Sequence, residues 1–168
     1  MILTFDRKKM FNPVIRLLVL SIFAFSVGLY CFGGKLSSFI HIFLIVMGFV
    51  YVPFFYLFFE YLLVTKDKKV EITSEYISIS KKGFKPIFTP VSELSIIKLY
   101  KSKGMEKGNF PVSISERFYH AEIYPKQGEK IVLTSFLDPD FELGIDLLNG
   151  VKKETRRTLF STIHFKLF

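Results

Sequence analysis

The chain has no tryptophan and a single cysteine, Cys31, among its 168 residues. One cysteine cannot close an internal disulfide, and a pair of metal-binding thiolates is equally excluded. Cys31 sits inside an apolar run and reads as a small packing residue. Histidine is scarce: His41, His120 and His164 lie far apart, in no metal-ligand spacing, and read as ordinary packing or surface residues. No glycine-rich loop precedes a helix, so nothing points to a bound nucleotide. The acidic cluster Asp138, Asp140 and Glu142 is accounted for by helix capping. With no nucleophile and base, no paired catalytic carboxylates and no ligand set, the sequence carries no catalytic, cofactor or metal site, and it reads as a non-enzyme.

Acidic residues are outnumbered, 15 against 23 basic ones, for a net charge of +8. No basic stripe interleaved with aromatics stands out, so nucleic acid is not an expected partner. What the chain has in abundance is apolar: 50% hydrophobic residues, 21 phenylalanines and a mean hydropathy of +0.36. The apolar residues crowd the first third and most charges follow them, which is the layout of a membrane anchor followed by a soluble domain. A basic excess beside apolar helices reads as an orientation signal and as contact with acidic headgroups.

Residues 13–32 read PVIRLLVLSIFAFSVGLYCF, enough helix to match a hydrocarbon core about 30 Å thick. Arg16 lies one turn inside and can snorkel to the headgroups. A cleaved signal peptide is the rival reading, but no small-residue cleavage pattern follows, and retention is favoured. Gly33 and Gly34 break the helix, Ser37 or Ser38 can cap the next, and 39–65 forms a second apolar run, joined to the first as a hairpin. The second run is long enough to tilt or to project past the bilayer, and Gly48 and Pro53 allow a kink. Arg7, Lys8, Lys9 and Arg16 before the hairpin and Lys66, Lys68 and Lys69 after it, against Lys35 alone in the connection, put both termini in the cytoplasm. Glu60 and His41 are ionisable but near the ends of the run, within reach of water.

From Lys68 the pattern changes to period-two alternation with turns between short runs. Val70, Ile72, Ile77 and Ile79 predict a hairpin about Ser74-Glu75. Further strands are expected at 86–89, at 94–101 with Ile96 and Ile97 as core, and at 111–115, 118–124 and 131–135. The count of seven suits a sandwich or open barrel. Asp138 as N-cap and Pro139 at the first position predict a closing helix with Phe141, Ile145 and Leu148 on its inner stripe, stopped by Asn149-Gly150. Alternatively the helix runs on, with Lys152, Lys153, Arg156 and Arg157 on one face. The expected organisation is therefore a basic N-terminus (1–12), a hairpin (13–65), a cytoplasmic domain (66–150) and a basic, then apolar tail (151–168).

Two N-terminal apolar helices followed by KKVEITSEYISISKKG, TPVSELSII, YHAEIYPKQGEKIVLTSF and DPDFELGIDLLNG resemble the bacterial pleckstrin-homology-like (PH-like) domains of small membrane proteins. Val91 departs from that pattern, since such domains often carry Trp there. The resemblance implies an α+β membrane protein: a transmembrane hairpin, then a seven-stranded bent sheet or open barrel with a C-terminal capping helix. It also implies a bacterial inner-membrane location and a platform for protein or lipid headgroups.

Two basic groups are candidates for headgroup contact: Lys66, Lys68 and Lys69 at the helix exit, and Lys81, Lys82 and Lys85 in the turn where pleckstrin-like folds often carry phosphoinositide contacts. Each contributes on the order of 1 kcal/mol beside an acidic surface. Phe54, Phe55, Phe58 and Phe59 offer a packing face, and Leu159, Phe160 and Phe165 make the tail too apolar to float freely. The tail is expected to lie at the membrane interface, or to dock on this domain or on a partner. The leading expectation is an accessory or scaffolding subunit bound to another membrane protein or to a second copy. The alternative is a stand-alone sensor or scaffold on acidic lipid.

Overall fold

The computed structural model describes residues 1–5, 7–32, 36–102, 118–158 and 161–164. Strand β1 (Ile2–Thr4) leads into helix α1 (Arg7–Cys31), and helix α2 (Leu36–Thr65) follows. Both contain windows, Val14–Cys31 and Phe39–Thr65, long and apolar enough to cross a membrane. The helices are antiparallel, and their seam is aromatic: Phe25 meets Phe43 at 5.1 Å and Phe39 at 5.5 Å between ring centroids. Gly28 permits this approach, because a Cβ there would stand 2.2 Å from the Phe39 ring. Tyr51 donates its hydroxyl to Ser21 Oγ across the seam at 2.8 Å. Away from the seam, Ile22, Phe23, Leu44, Ile45, Phe49 and Val52 are all exposed.

The first residues are not a free basic segment. Leu3 is fully buried opposite Val70, and β1 pairs with β2 (Lys68–Ile72), covering an edge of backbone donors and acceptors that would otherwise stay open. At the far end of α2, Asp67 takes φ 62°, the left-handed conformation that ends a helix and turns the chain into β2. The β2–β3 hairpin is set by Thr73, whose Oγ1 accepts the Tyr76 amide at 3.0 Å, putting Ile72 opposite Ile77. Strands β3 (Tyr76–Lys81) and β4 (Ile87–Pro90) complete an antiparallel sheet of order β1-β2-β3-β4.

A second sheet has the order β7-β6-β5-β8, from β5 (Leu94–Ser102), β6 (His120–Pro125), β7 (Ile131–Thr134) and β8 (Lys152–Thr158). Among the described residues, only β5 and β8 pair in parallel. The stretch expected to open a tail is therefore a strand of this sheet, and the helical alternative is not taken. Its charges alternate, and Glu154 holds Lys152 at 2.9 Å and Arg156 at 3.7 Å, so an edge strand is formed without exposing an apolar rim. The expected strand at 111–115 lies outside the described residues. The two sheets thus recruit 2–4 and 152–158, beyond the 66–150 boundary expected for the domain.

Helix α3 (Phe141–Asp146) is shorter than its sequence pattern, because the Asp138 carboxylate accepts the Asp140 amide at 2.9 Å and holds 138–140 as a turn. Phe141, Ile145 and Leu148 are buried as the stripe implies, packed with Val70, Ile72, Ile77, Ile97, Ile123 and Leu133. Ile97 enters this core and Ile96 faces away, half-buried.

Candidate functional site

The core between the sheets ends in an open mouth. Because β2 and β3 place Lys68 opposite Lys81, in line with the inward Val70 and Ile79, both lysines stand where the inner faces of the sheets run out. A cavity of about 550 Å³ opens there, lined by Lys68, Val70, Ile79, Lys81, Phe84 and Lys85 and, from the facing side, by Pro125 to Val132 save Lys126. Like charges directly opposite on a sheet repel. Burial, and then the Lys81 charge, hold the Lys68 ammonium below the usual lysine range. Among the described residues, none of Lys68, Lys81 and Lys85 is in an ion pair. Lys81 instead lies 5.7 Å from the Phe84 ring centre.

The mouth splits the six lysines singled out from the sequence. Lys68, Lys81 and Lys85 line it; Lys66, Lys69 and Lys82 do not and are exposed. The turn carrying Lys82 is pinned to the helix exit, since its amide donates to the Asp67 carbonyl at 3.2 Å. A further lysine, Lys130, borders the cavity but spends its charge on Glu122 in an ion pair. Burial alone would raise the Glu122 carboxyl; hydrogen bonds from Lys130 and from Tyr124 (2.6 Å) and the Lys130 charge prevail and hold it at about 2.

The phenylalanines of α2 divide as well. Phe54 and Phe58 are buried, packing on Phe118 and Phe136, whereas Phe55 and Phe59 remain exposed. One side of the helix is taken up by this chain's own domain. The outer side shows Phe49, Val52, Tyr56, Phe59 and Leu63 at helical spacing, Leu63 being 77% exposed although its neighbour Tyr61 is fully buried against the domain.

Where α2 meets the second sheet lies a buried polar network that no motif announces. Tyr61 donates its hydroxyl to the Ser161 carbonyl at 2.6 Å, so His120 Nδ1, 3.0 Å from Tyr61 Oη, carries the proton of that contact. Nδ1 also lies 2.9 Å from Ser161 Oγ, which donates to the Tyr100 carbonyl at 3.1 Å, and the His120 ring stacks on Tyr100 at 4.7 Å. Thr65 and Thr134 share a hydroxyl hydrogen bond, and Glu60 Oε1 accepts the His164 amide at 2.7 Å. Residues 161–164 therefore dock on the chain's own helix and sheet, with Ile163 buried. Leu159, Phe160 and Phe165 lie outside the described residues. His120, separated from His41 and His164, serves in this structural network.

The fold and mouth define an α+β chain whose described residues form two long apolar helices and two four-stranded sheets. No known protein family and no curated protein matches it. Among solved structures it is similar to the "Spt16D Pob3N heterodimer", at 15% identity and a TM-score of 0.39, over 61% of this chain. The chain spans about half of that neighbour, 54% of its length. A likeness this loose assigns neither fold family nor function.

Proposed function

We propose that this is a non-enzymatic protein anchored by a transmembrane hairpin in a bacterial inner membrane, carrying a cytoplasmic PH-like domain and acting as an accessory or scaffolding subunit of a membrane assembly. The observation that carries the reading is the outer face of α2. A bilayer core occupies about 20 helical residues, and α2 has 30. Its last turns stand beside the domain, yet Tyr56, Phe59 and Leu63 keep an apolar face exposed there. Water is a poor neighbour for such a stripe, and a second protein helix packed on it removes the cost. The PH-like assignment draws support from two packed sheets with a helix over their core.

The test is photo-crosslinking from a benzophenone amino acid at Phe59 or Leu63 in native membranes. A discrete protein adduct that vanishes with Phe59→Asn is the supporting result. Lipid adducts alone would mean that tilt of α2 in the bilayer covers the stripe, and the accessory reading would fall.

A second reading, contact with an acidic membrane surface, is favoured by Lys66, Lys69 and Lys82, exposed around the helix exit. In nanodiscs, these three amines should be shielded from an acetylating reagent by acidic lipid but not by neutral lipid. Equal labelling in both would sink it.

A further inference from the structure

We propose that Lys68, at the mouth between the two sheets, is a modification site for carbon dioxide: its amine takes up the gas as a carbamate, whose negative charge is matched by Lys81 and Lys85. The inference concerns a covalent change to one side chain and is independent of the membrane-surface contact described above.

The pairing of β2 with β3 carries it. The Lys82 amide donates to the Asp67 carbonyl at 3.2 Å, one residue beyond the Lys68–Lys81 pair on each strand. Lys68 and Lys81 therefore form a non-hydrogen-bonded pair, the kind in which Cα atoms approach to about 4.5 Å and side chains stand closest. Like charges so placed destabilise a sheet. Lys85 lines the same cavity, and none of the three has a carboxylate partner among the described residues. On the facing turn, Lys130 is held by Glu122, and Glu129 forms no ion pair with the three lysines. Turning one of these ammonium groups into an anion converts their repulsion into attraction.

Lys68 is the member of the cluster suited to react. It is half-buried beside Val70 and Ile79, whereas Lys81 and Lys85 are exposed, and Lys81 lies 5.7 Å from the Phe84 ring centre. Burial, and then the Lys81 charge, enlarge the share of Lys68 present as free amine, the nucleophilic form. The product selects the electrophile. Acylation by a carboxylic donor leaves a neutral amide, which removes a charge but gains no ion pair; a carbamate places an anion among cations. In the step, the Lys68 nitrogen lone pair attacks the carbon of carbon dioxide, an N–C bond forms, one C–O π pair moves onto oxygen, and the nitrogen gives a proton to water. Nothing is oxidised or reduced.

The experiment equilibrates the full-length protein in neutral-lipid nanodiscs with isotope-labelled bicarbonate near neutral pH, traps carbamates as ethyl esters with triethyloxonium, and reads each lysine by mass spectrometry. The expected result is a trapped carbamate at Lys68, about tenfold or more above that at the exposed Lys66, Lys69 and Lys82. It should be absent from Lys68→Arg and reduced about fivefold in Lys81→Gln. Because a group taken up by the folded chain alone stabilises it, bicarbonate at fixed pH and ionic strength should also raise the thermal midpoint of the parent and leave that of Lys68→Arg unmoved. Lys81→Gln removes one of two opposed charges and should not lower the midpoint without bicarbonate, so a lost adduct is distinguishable from lost folding. Equal trapping across the exposed lysines, no adduct at Lys68, an adduct indifferent to Lys81→Gln, or a parent midpoint that ignores bicarbonate overturns the proposal.

Discussion

Tyr61 on α2 donates its hydroxyl to the main-chain carbonyl of Ser161, 100 positions further along the chain, at 2.6 Å. The same oxygen stands 3.0 Å from His120 Nδ1, so one side chain ties a long apolar helix, a central strand and the returning C-terminal segment together. Tyr61→Phe keeps the ring and leaves the Ser161 carbonyl without this donor. Loss of a buried hydrogen bond of this kind costs about 1 to 3 kcal/mol. A fall in the thermal midpoint, with faster proteolysis after 158, is the expected outcome; an unchanged midpoint would show the bond to be dispensable.

Glu60 tests the same junction from its other side. Its Oε1 accepts the His164 amide at 2.7 Å, while Oε2 is buried without a hydrogen-bond partner among the described residues. Glu60→Gln keeps an acceptor and should leave residues 161–164 docked. Glu60→Ala removes it, and amide exchange at 161–164 should rise at least tenfold, read by hydrogen-exchange mass spectrometry.

Glu122 gives the domain an acid-sensitive step. Its carboxyl titrates at about 2 in the folded chain against 4.5 as the ordinary value. A depressed acid stabilises the fold fully above its unfolded value, and the contribution fades as pH falls from about 4.5 toward 2. Chemical denaturation in detergent should show the parent losing about 2 to 3 kcal/mol across that window through this group. Glu122→Gln should flatten the slope and be less stable at neutral pH, where Lys130 loses its counter-charge.

Gly28 sets how closely the two helices pack. A Cβ at that position would stand only 2.2 Å from the Phe39 ring, so Gly28→Leu forces the ring or the helices apart. Overpacking of this sort costs about 1 to 3 kcal/mol. The hairpin should show weaker disulfide trapping between Ser21→Cys and Tyr51→Cys in a Cys31→Ser background, with the sheets' own unfolding transition unmoved.

Topology is testable with the chain's one thiol. In the hairpin reading Cys31, exposed at the end of α1, stands on the side of the membrane away from the sheets. An impermeant maleimide should reach Cys31 from one side only, and Ser74→Cys from the other. Labelling of both from one side would exclude two crossings.

The helices were legible because apolar side chains in an unbroken run have one economical structure, and the β2–β3 hairpin because alternation about Ser74-Glu75 names both its faces. The stripe Phe141, Ile145, Leu148 was legible for the same reason, although the helix that carries it starts later once Asp138 takes the Asp140 amide. The strand β8 was not: Lys152 to Arg157 has the charge of a surface segment, and only the open edge of β5 gives it a partner. Among the site residues, lysine density near the helix exit was visible, but its division was not. Whether a lysine lines the mouth depends on strand register, which puts Lys68 inward opposite Lys81 and leaves Lys69 outside. The role of Lys130 was not legible because it rests on Glu122, a neighbour across the β6–β7 turn.

By itself the sequence determined two long apolar helices, a β-rich domain after them and a basic exit between the two, since these follow from hydropathy, local periodicity and charge counted along the chain. Tertiary structure alone decided which of the phenylalanines face outward, that residues 2–4 and 152–158 complete the sheets, and that two lysines 13 positions apart share one cavity. Those are matters of register and of packing at a distance, and no local pattern of residues encodes them.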